Sequence, residues 1–133
     1  MRFYAFNPLA GGLLTGKQLT FDAAPEEGRF SRLKSYRDRY WKQSYFDAIN
    51  EIKSACDTEG IPMAEAAYRW LVNHSMMRSE QGDGVLLGAS RIEQMEQNLL
   101  AAQKGELPQS ILDAMDAAWE IARPDSPAYF KFI

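Results

Sequence analysis

Two stretches of this chain hold residue types suited to gripping an anion. The first is Asn7-Pro8-Leu9-Ala10-Gly11-Gly12-Leu13-Leu14-Thr15-Gly16-Lys17. Its glycines let backbone N–H groups approach a charged ligand closely, and Lys17 supplies a cation. Gly11 through Lys17 satisfies the spacing G-x-x-x-x-G-K, but Gln18 stands where a P-loop needs Ser or Thr for Mg²⁺, and no helical stripe follows before Pro25. Nucleotide hydrolysis is therefore disfavoured, while a glycine-rich turn without a ligand stays open. The second stretch runs from Leu87 to Asn98. A strand ends at Gly88, Ser90 is placed to cap a helix, and Glu93 completes a Ser-x-x-Glu capping box. Helix N-termini attract anions through unpaired N–H groups and the macrodipole. Arg91 adds a planar donor fork; its plain alternative is a solvated arginine beside an ordinary cap.

A third run, Arg29 to Lys42, interleaves Arg29, Arg32, Lys34, Arg37, Arg39 and Lys42 with Phe30, Tyr36, Tyr40 and Trp41, against the single acid Asp38. Such a mixture can bind single-stranded nucleic acid. The acidic remainder of the chain, net charge −3, favours a loop that receives a carboxylate or phosphate, or a solvated basic surface. His74 has no Cys or second His nearby to share a metal, Cys56 falls on an apolar helix face, and Asp113 and Asp116 read as solvated.

The elements that position these stretches follow from periodicity and punctuation. Residues 2–6 read as an aromatic strand ended by Asn7-Pro8. Residues 9–43 read as a long irregular stretch, and a loop of that length in a compact domain is usually functional or disordered. Ser44 caps a first long helix, with Tyr45, Ile49, Ile52 and Cys56 on one face and Gly60 ending it. Pro62 starts a second helix in its first turn, carrying Met63, Ala67, Trp70, Leu71 and His74. Residues 85–89 form a short apolar run that suits a strand buried on both faces. Ile92, Met95 and Leu99 mark the next helix. Gly105 breaks it, and Pro108 opens a last one with Ile111, Leu112, Met115, Ala118, Trp119 and Ala122 inward. A strand–loop–helices–strand–helices order implies α/β architecture with parallel strands. Two anion-competent loops after two successive strands suit a (β/α)₈ barrel, whose phosphate site is often built after strands seven and eight. Two strands are too few for an independent sheet, so the chain reads as part of something larger.

Composition narrows the setting. An apolar content of 46% over 133 residues supports a real core. A single cysteine, Cys56, forms no internal disulfide, which makes a reducing, cytoplasmic location the expectation. No apolar run approaches the roughly 20 residues of a membrane span, and the residues before Asn7-Pro8 are too few for a signal-peptide core. Neither a nucleic-acid nor a membrane partner is expected.

F-Y-A-F-N-P-L-A-G-G-L-L-T-G-K, G-R-F at Gly28–Phe30, Y-R-D-R-Y-W at Tyr36–Trp41 and G-A-S-R-I-E-Q-M-E-Q-N-L from Gly88 occur in one order through nearly all of the chain. Together they resemble the aldo-keto reductase superfamily, nearest its aflatoxin aldehyde reductase and succinic semialdehyde reductase branch. The resemblance implies the C-terminal portion of a (β/α)₈ TIM barrel, strands seven and eight with their helices, within an NADPH-dependent oxidoreductase that reduces small aldehydes or ketones to alcohols. Residues 1–133 would then be the C-terminal fragment of one such domain.

The resemblance also implies roles. Asn7, Pro8, Leu9, Ala10, Gly11, Gly12, Leu13, Leu14, Thr15, Gly16 and Lys17 match the loop around the cofactor pyrophosphate, and Arg29 matches a cofactor-contacting arginine. Ser90, Arg91, Gln94 and Asn98 match the segment holding the adenosine 2′-phosphate and adenine. Arg91 replaces a small polar residue often found there, which favours NADPH over NADH. Tyr36 and Arg39 match positions near the substrate carboxylate. Lys131 stands where the branch tends to carry a substrate-reaching arginine, and so offers a point charge in place of a fork. The tyrosine, lysine, aspartate and histidine of family catalysis precede the matched segment. No catalytic residue and no metal ligand is assigned in this chain, and a barrel of about 250 residues would be needed to supply them. A non-catalytic interaction module with residual nucleotide binding is the alternative. The resemblance leaves a homodimer open for the complete enzyme.

Overall fold

Glycine and proline set the helix boundaries in the computed structural model, which describes residues 1–23 and 25–127. The long helix α3 (Gln43–Glu59) stops at Gly60, whose φ of 66° is the left-handed conformation that a Cβ disfavours, and Gly60 N–H closes onto the carbonyls of Cys56 and Asp57. Pro62 and Pro108 immediately precede α4 (Met63–Asn73) and α6 (Gln109–Ala122). Their fixed φ is compatible with a helix start, and a helix entrance has no use for the missing N–H.

Two serines expected as caps do other work. The helix α3 begins two residues early, at Gln43 with Lys42 as its N-cap, so Ser44 lies inside the first turn and its hydroxyl donates to Asp125 Oδ2 at 2.5 Å. The helix α5 (Ile92–Ala102) begins late, with Arg91 at its N-cap and no side-chain cap. Ser90 instead donates its hydroxyl to Gln94 Oε1 at 3.1 Å, so the expected Ser90–Glu93 capping box is not formed.

The expected strands shorten to a parallel pair, β1 (Tyr4–Ala5) and β2 (Gly84–Val85), registered Tyr4 to Gly84 and Ala5 to Val85. Gly84 N–H donates to Phe3 C=O at 3.0 Å and Leu86 N–H to Ala5 C=O at 2.8 Å. Asp83 reinforces the alignment. Its Oδ1 accepts Phe3 N–H at 2.8 Å and its Oδ2 accepts Arg78 N–H at 2.9 Å, and these two donors hold its carboxyl below the usual value. Burial on both strand faces is not found: Phe3 is 54% and Leu86 55% exposed, because no third strand pairs with either among the described residues.

Helical periodicity does build the core. Phe46, Ile49, Ile52 and Cys56 recur every three or four residues along α3 and meet Ile111 and Ala118 of α6. Burying a side chain such as Phe46 or Ile111 contributes roughly 1.5–3 kcal/mol each. Alongside, α4 packs on α5. Arg69 of α4 ties this layer to the α5–α6 connection, donating to Gly105 C=O at 2.8 Å and pairing with Glu65 at 3.1 Å, while Lys104 reaches the same Glu65 at 2.6 Å. His74 is a structural acceptor, its Nε2 taking Leu107 N–H at 2.9 Å.

The stretch 9–43, expected as irregular, contains a kinked 3-10 turn at Ala10–Thr15 and two short helices, α1 (Arg29–Arg32) and α2 (Lys34–Tyr40). Helices of this length are marginal alone. Here an aromatic chain holds them: Phe30 lies 5.2 Å from Trp41, Trp41 lies 4.7 Å from Phe46, and Tyr36 lies 5.8 Å from Tyr40. Among the described residues no helix is long and apolar enough to cross a membrane.

Candidate cofactor site

Both chains of residues that leave the strands turn toward one open cleft of about 750 Å³. Phe6, Asn7, Pro8 and Leu9 enter it from β1, and Leu86 through Ser90 enter it from β2. That volume lies within the roughly 300–1,000 Å³ of small-molecule sites.

The first wall is the kinked turn. Gly11 (φ 73°) and Gly12 (φ 109°) reverse the chain, and Asn7 anchors the reversal: its Oδ1 accepts Gly11 N–H at 2.9 Å and its amide donates to Tyr40 Oη at 2.7 Å. Gly12 N–H is used by Leu9 C=O at 2.8 Å and Gly16 N–H by Leu13 C=O at 3.2 Å. The glycine N–H groups are thus satisfied within the turn, and the glycines serve through backbone geometry. No helix follows Lys17 until Arg29, so the P-loop arrangement is not built. Gly11, Gly12, Thr15 and Lys17 face the cleft, whereas Ala10, Leu13 and Leu14 turn to an apolar groove on the other side, with Leu13 fully buried. Gly16 packs against Lys53 and Met63 instead of lining the cleft.

The second wall is the start of α5. Ser90 and Gln94 line the cleft. The helix opens without a side-chain cap, so its first-turn N–H groups keep their affinity for an acceptor. The side chains of Lys17, which lines the cleft, and of Arg91, which does not, make no hydrogen bond or ion pair among the described residues. Asn98 stands just behind, its amide donating to Gly88 C=O at 3.4 Å.

Arg29 and Tyr36 complete the side formed by α1 and α2, the guanidinium carbon 5.6 Å above the Tyr36 ring. Glu27 places one carboxylate at the same rim. Arg39 does not line the cleft; it sits 5.9 Å over the Tyr40 ring. Lys131 and the Tyr129-Phe130 tail lie outside the described residues.

One lining residue carried no motif. Tyr68, on α4, is only 1% exposed, and its hydroxyl has no hydrogen-bond partner among the described residues. Burial pushes its pKa up, and an unpaired buried hydroxyl costs about 1–3 kcal/mol. The stripe Met63–Ala67–Trp70–Leu71 describes one face of α4, yet the buried set is Met63, Ala66, Ala67 and Tyr68, because α4 is covered by the Ala10–Thr15 turn and β2 as well as by α5. A tyrosine beside that stripe, with a polar tip to satisfy, was the available signal. Among the described residues no cluster of three His, Cys, Asp or Glu is poised for a metal.

A cleft at the carboxyl ends of parallel strands, with an uncapped helix start on one side and a positive-φ turn on the other, is the usual place for a ligand in an α/β fold. Residues 1–120 match the Aldo/keto reductase family, and the chain belongs to it. It is 42% identical over 140 residues to aflatoxin B1 aldehyde reductase member 2 of Rattus norvegicus, an alignment covering 98% of this chain and 38% of that protein. It is 41% identical to aldo-keto reductase family 7 member A3 of Homo sapiens, covering 98% and 42% respectively. Oxidoreductase sirO of Leptosphaeria maculans is 34% identical, covering 97% and 40%. The chain therefore spans about two fifths of the length of these relatives.

Proposed function

We propose that this chain forms the dinucleotide-anchoring part of an NADPH-dependent reductase of small aldehydes or ketones, its two strand units corresponding to strands seven and eight of a (β/α)₈ barrel. One observation carries the reading: two loops from two parallel strands converge on a single cleft that offers Lys17, Arg29 and an uncapped helix entrance. The residues fit a phosphorylated cofactor, since the Lys17 ammonium and the Tyr68 hydroxyl have no acceptor among the described residues and phosphates supply one.

The turn Asn7–Lys17 and Arg29 hold the pyrophosphate, the turn by shape and Lys17 by charge. Ser90 and Gln94 at the helix entrance, with Arg91 and Asn98 flanking, hold the 2′-phosphate and adenine. Tyr36 sits on the substrate side, and Arg39 and Lys131 are its candidate carboxylate partners. Bound NADPH supplies a hydride to a carbonyl carbon. Cofactor loops of this kind contribute by fixing orientation and excluding water.

Tryptophan emission provides the test, because Trp41 contacts Phe30 of the cleft wall. Titrating the chain should give a saturable response to NADPH, weaker for NADH. Arg91→Ala should weaken NADPH by about tenfold or more and leave NADH nearly unchanged, as loss of one charge-assisted contact predicts. No saturable NADPH response, or tighter binding of ATP with Mg²⁺, would refute the assignment.

A further inference from the structure

Among the described residues, Tyr68 Oη is the only buried side-chain nitrogen or oxygen without a hydrogen-bond partner. Packing alone does not call for that oxygen, since a phenylalanine ring would fill the same volume. The tyrosine lies in the lining shared by both loop walls, with Gly11 and Gly12 on one side and Gly88 and Ser90 on the other. The charged residues of that lining are Lys17, Glu27 and Arg29. A phenol with no acceptor, in a cleft whose lining also carries two cations and the approach to an uncapped helix, matches a ligand group that only accepts hydrogen bonds.

We propose that Tyr68 is a cofactor-contacting residue whose hydroxyl donates a hydrogen bond to a phosphate oxygen of the dinucleotide. This rests on the NADPH reading above and adds a residue outside both loops to it. The hydroxyl is closed from solvent in the free chain, so contact requires the loops to re-seat around the ligand. Nothing lies within 4 Å of where a Cβ would stand at Gly12 or Gly88, which leaves both loop backbones room to do so.

Tyr68→Phe tests the proposal on the full chain, with NADPH and NADH as probes and apo melting temperature as the control. NADPH should bind about tenfold more weakly, the loss of one hydrogen bond to a charged acceptor. The apo melting temperature should stay level or rise, because the unpaired hydroxyl is gone. Equal weakening of NADPH and NADH places the contact at the pyrophosphate; weakening of NADPH alone places it at the 2′-phosphate. Either result supports the donor role. Unchanged NADPH affinity overturns it, as does a fall in apo melting temperature, with or without weaker binding, since the hydroxyl would then be serving the fold. Wild-type chain that ignores NADPH sinks the cofactor reading and this inference together, whereas normal wild-type binding with an indifferent Tyr68→Phe sinks this one alone.

Discussion

Replacing Gly11 by alanine attacks the turn that shapes the first cleft wall, and the structure separates its cost into two parts. Gly11 has φ of 73°, a conformation that costs an L-residue about 1–2 kcal/mol. A Cβ built there would also stand 2.8 Å from Tyr36 Cδ1, 3.1 Å from Tyr36 Cε1 and 3.2 Å from Phe30 Cζ. Overpacking of that kind costs about 1–3 kcal/mol, and the low end applies because Tyr36 is only half-buried and its ring can swing. Gly11→Ala should therefore lose about 2–3 kcal/mol in urea unfolding followed by tryptophan emission, with an unchanged denaturant slope. In a Tyr36→Ala background the same substitution should cost less, its backbone part of about 1–2 kcal/mol and whatever the remaining Phe30 contact at 3.2 Å adds. Gly12→Ala, with φ of 109° and nothing within 4 Å of its Cβ, should likewise be insensitive to Tyr36. Equal costs for Gly11→Ala with and without the Tyr36 ring would refute the contact, and a neutral Gly11→Ala would refute the left-handed turn itself.

Ala10 carries the same strain without a glycine's freedom, at φ of 49°. Ala10→Gly should raise stability by roughly 0.5–1 kcal/mol in urea unfolding, the relief of strain outweighing the added chain entropy. Asp83 has a folded pKa below its ordinary 3.8, so its contribution is present above that value and lost as pH falls through the folded one. Asp83→Asn should flatten that part of the acid limb in melting curves taken down to about pH 2. Cys56 is pushed from 9.0 to about 11, first by burial and then by Asp57. Its thiol should react with a thiol reagent at neutral pH only on unfolding, and the stability it contributes should fade as pH rises from 9.0 toward about 11, a loss that Cys56→Ala removes.

What was legible in the sequence followed its strongest local signals. The stripe through Ile49, Ile52 and Cys56, the stop at Gly60 and the starts at Pro62 and Pro108 specify helices whatever surrounds them. Ser44 and Ser90 do not cap because the helix starts lie two residues before and one residue after the expected register, and each hydroxyl has a side-chain partner, Asp125 or Gln94, that periodicity does not reveal. The helices α1 and α2 were hidden because their stability lies in contacts such as Trp41 with Phe46, not in their own propensity. At the site, the convergence of the two loops was readable from strand order. The role of the glycine N–H groups was not, since their internal partners, Asn7 Oδ1 and Leu9 C=O, appear only once the turn is folded.

The kink at Gly11–Gly12 explains how eleven consecutive residues serve two environments. On one side the turn offers Gly11, Gly12 and Thr15 to a cleft of mixed polar and apolar lining; on the other it offers Ala10, Leu13 and Leu14 to an apolar groove shared with Ala67, Trp70 and Leu71 of α4. Leu13, at 1% exposure, is the turn's anchor in the core, so the position of the cleft wall is set by helix packing behind it. The same helix sends Tyr68 into the cleft floor and Ala67 toward the groove. A ligand that reseats the loop must therefore work against Leu13 and α4 together, which makes the wall rigid where it meets the core and adaptable only at its glycines. Rigidity at the anchor and freedom at the rim are what a site needs to hold a charged, extended ligand in one orientation.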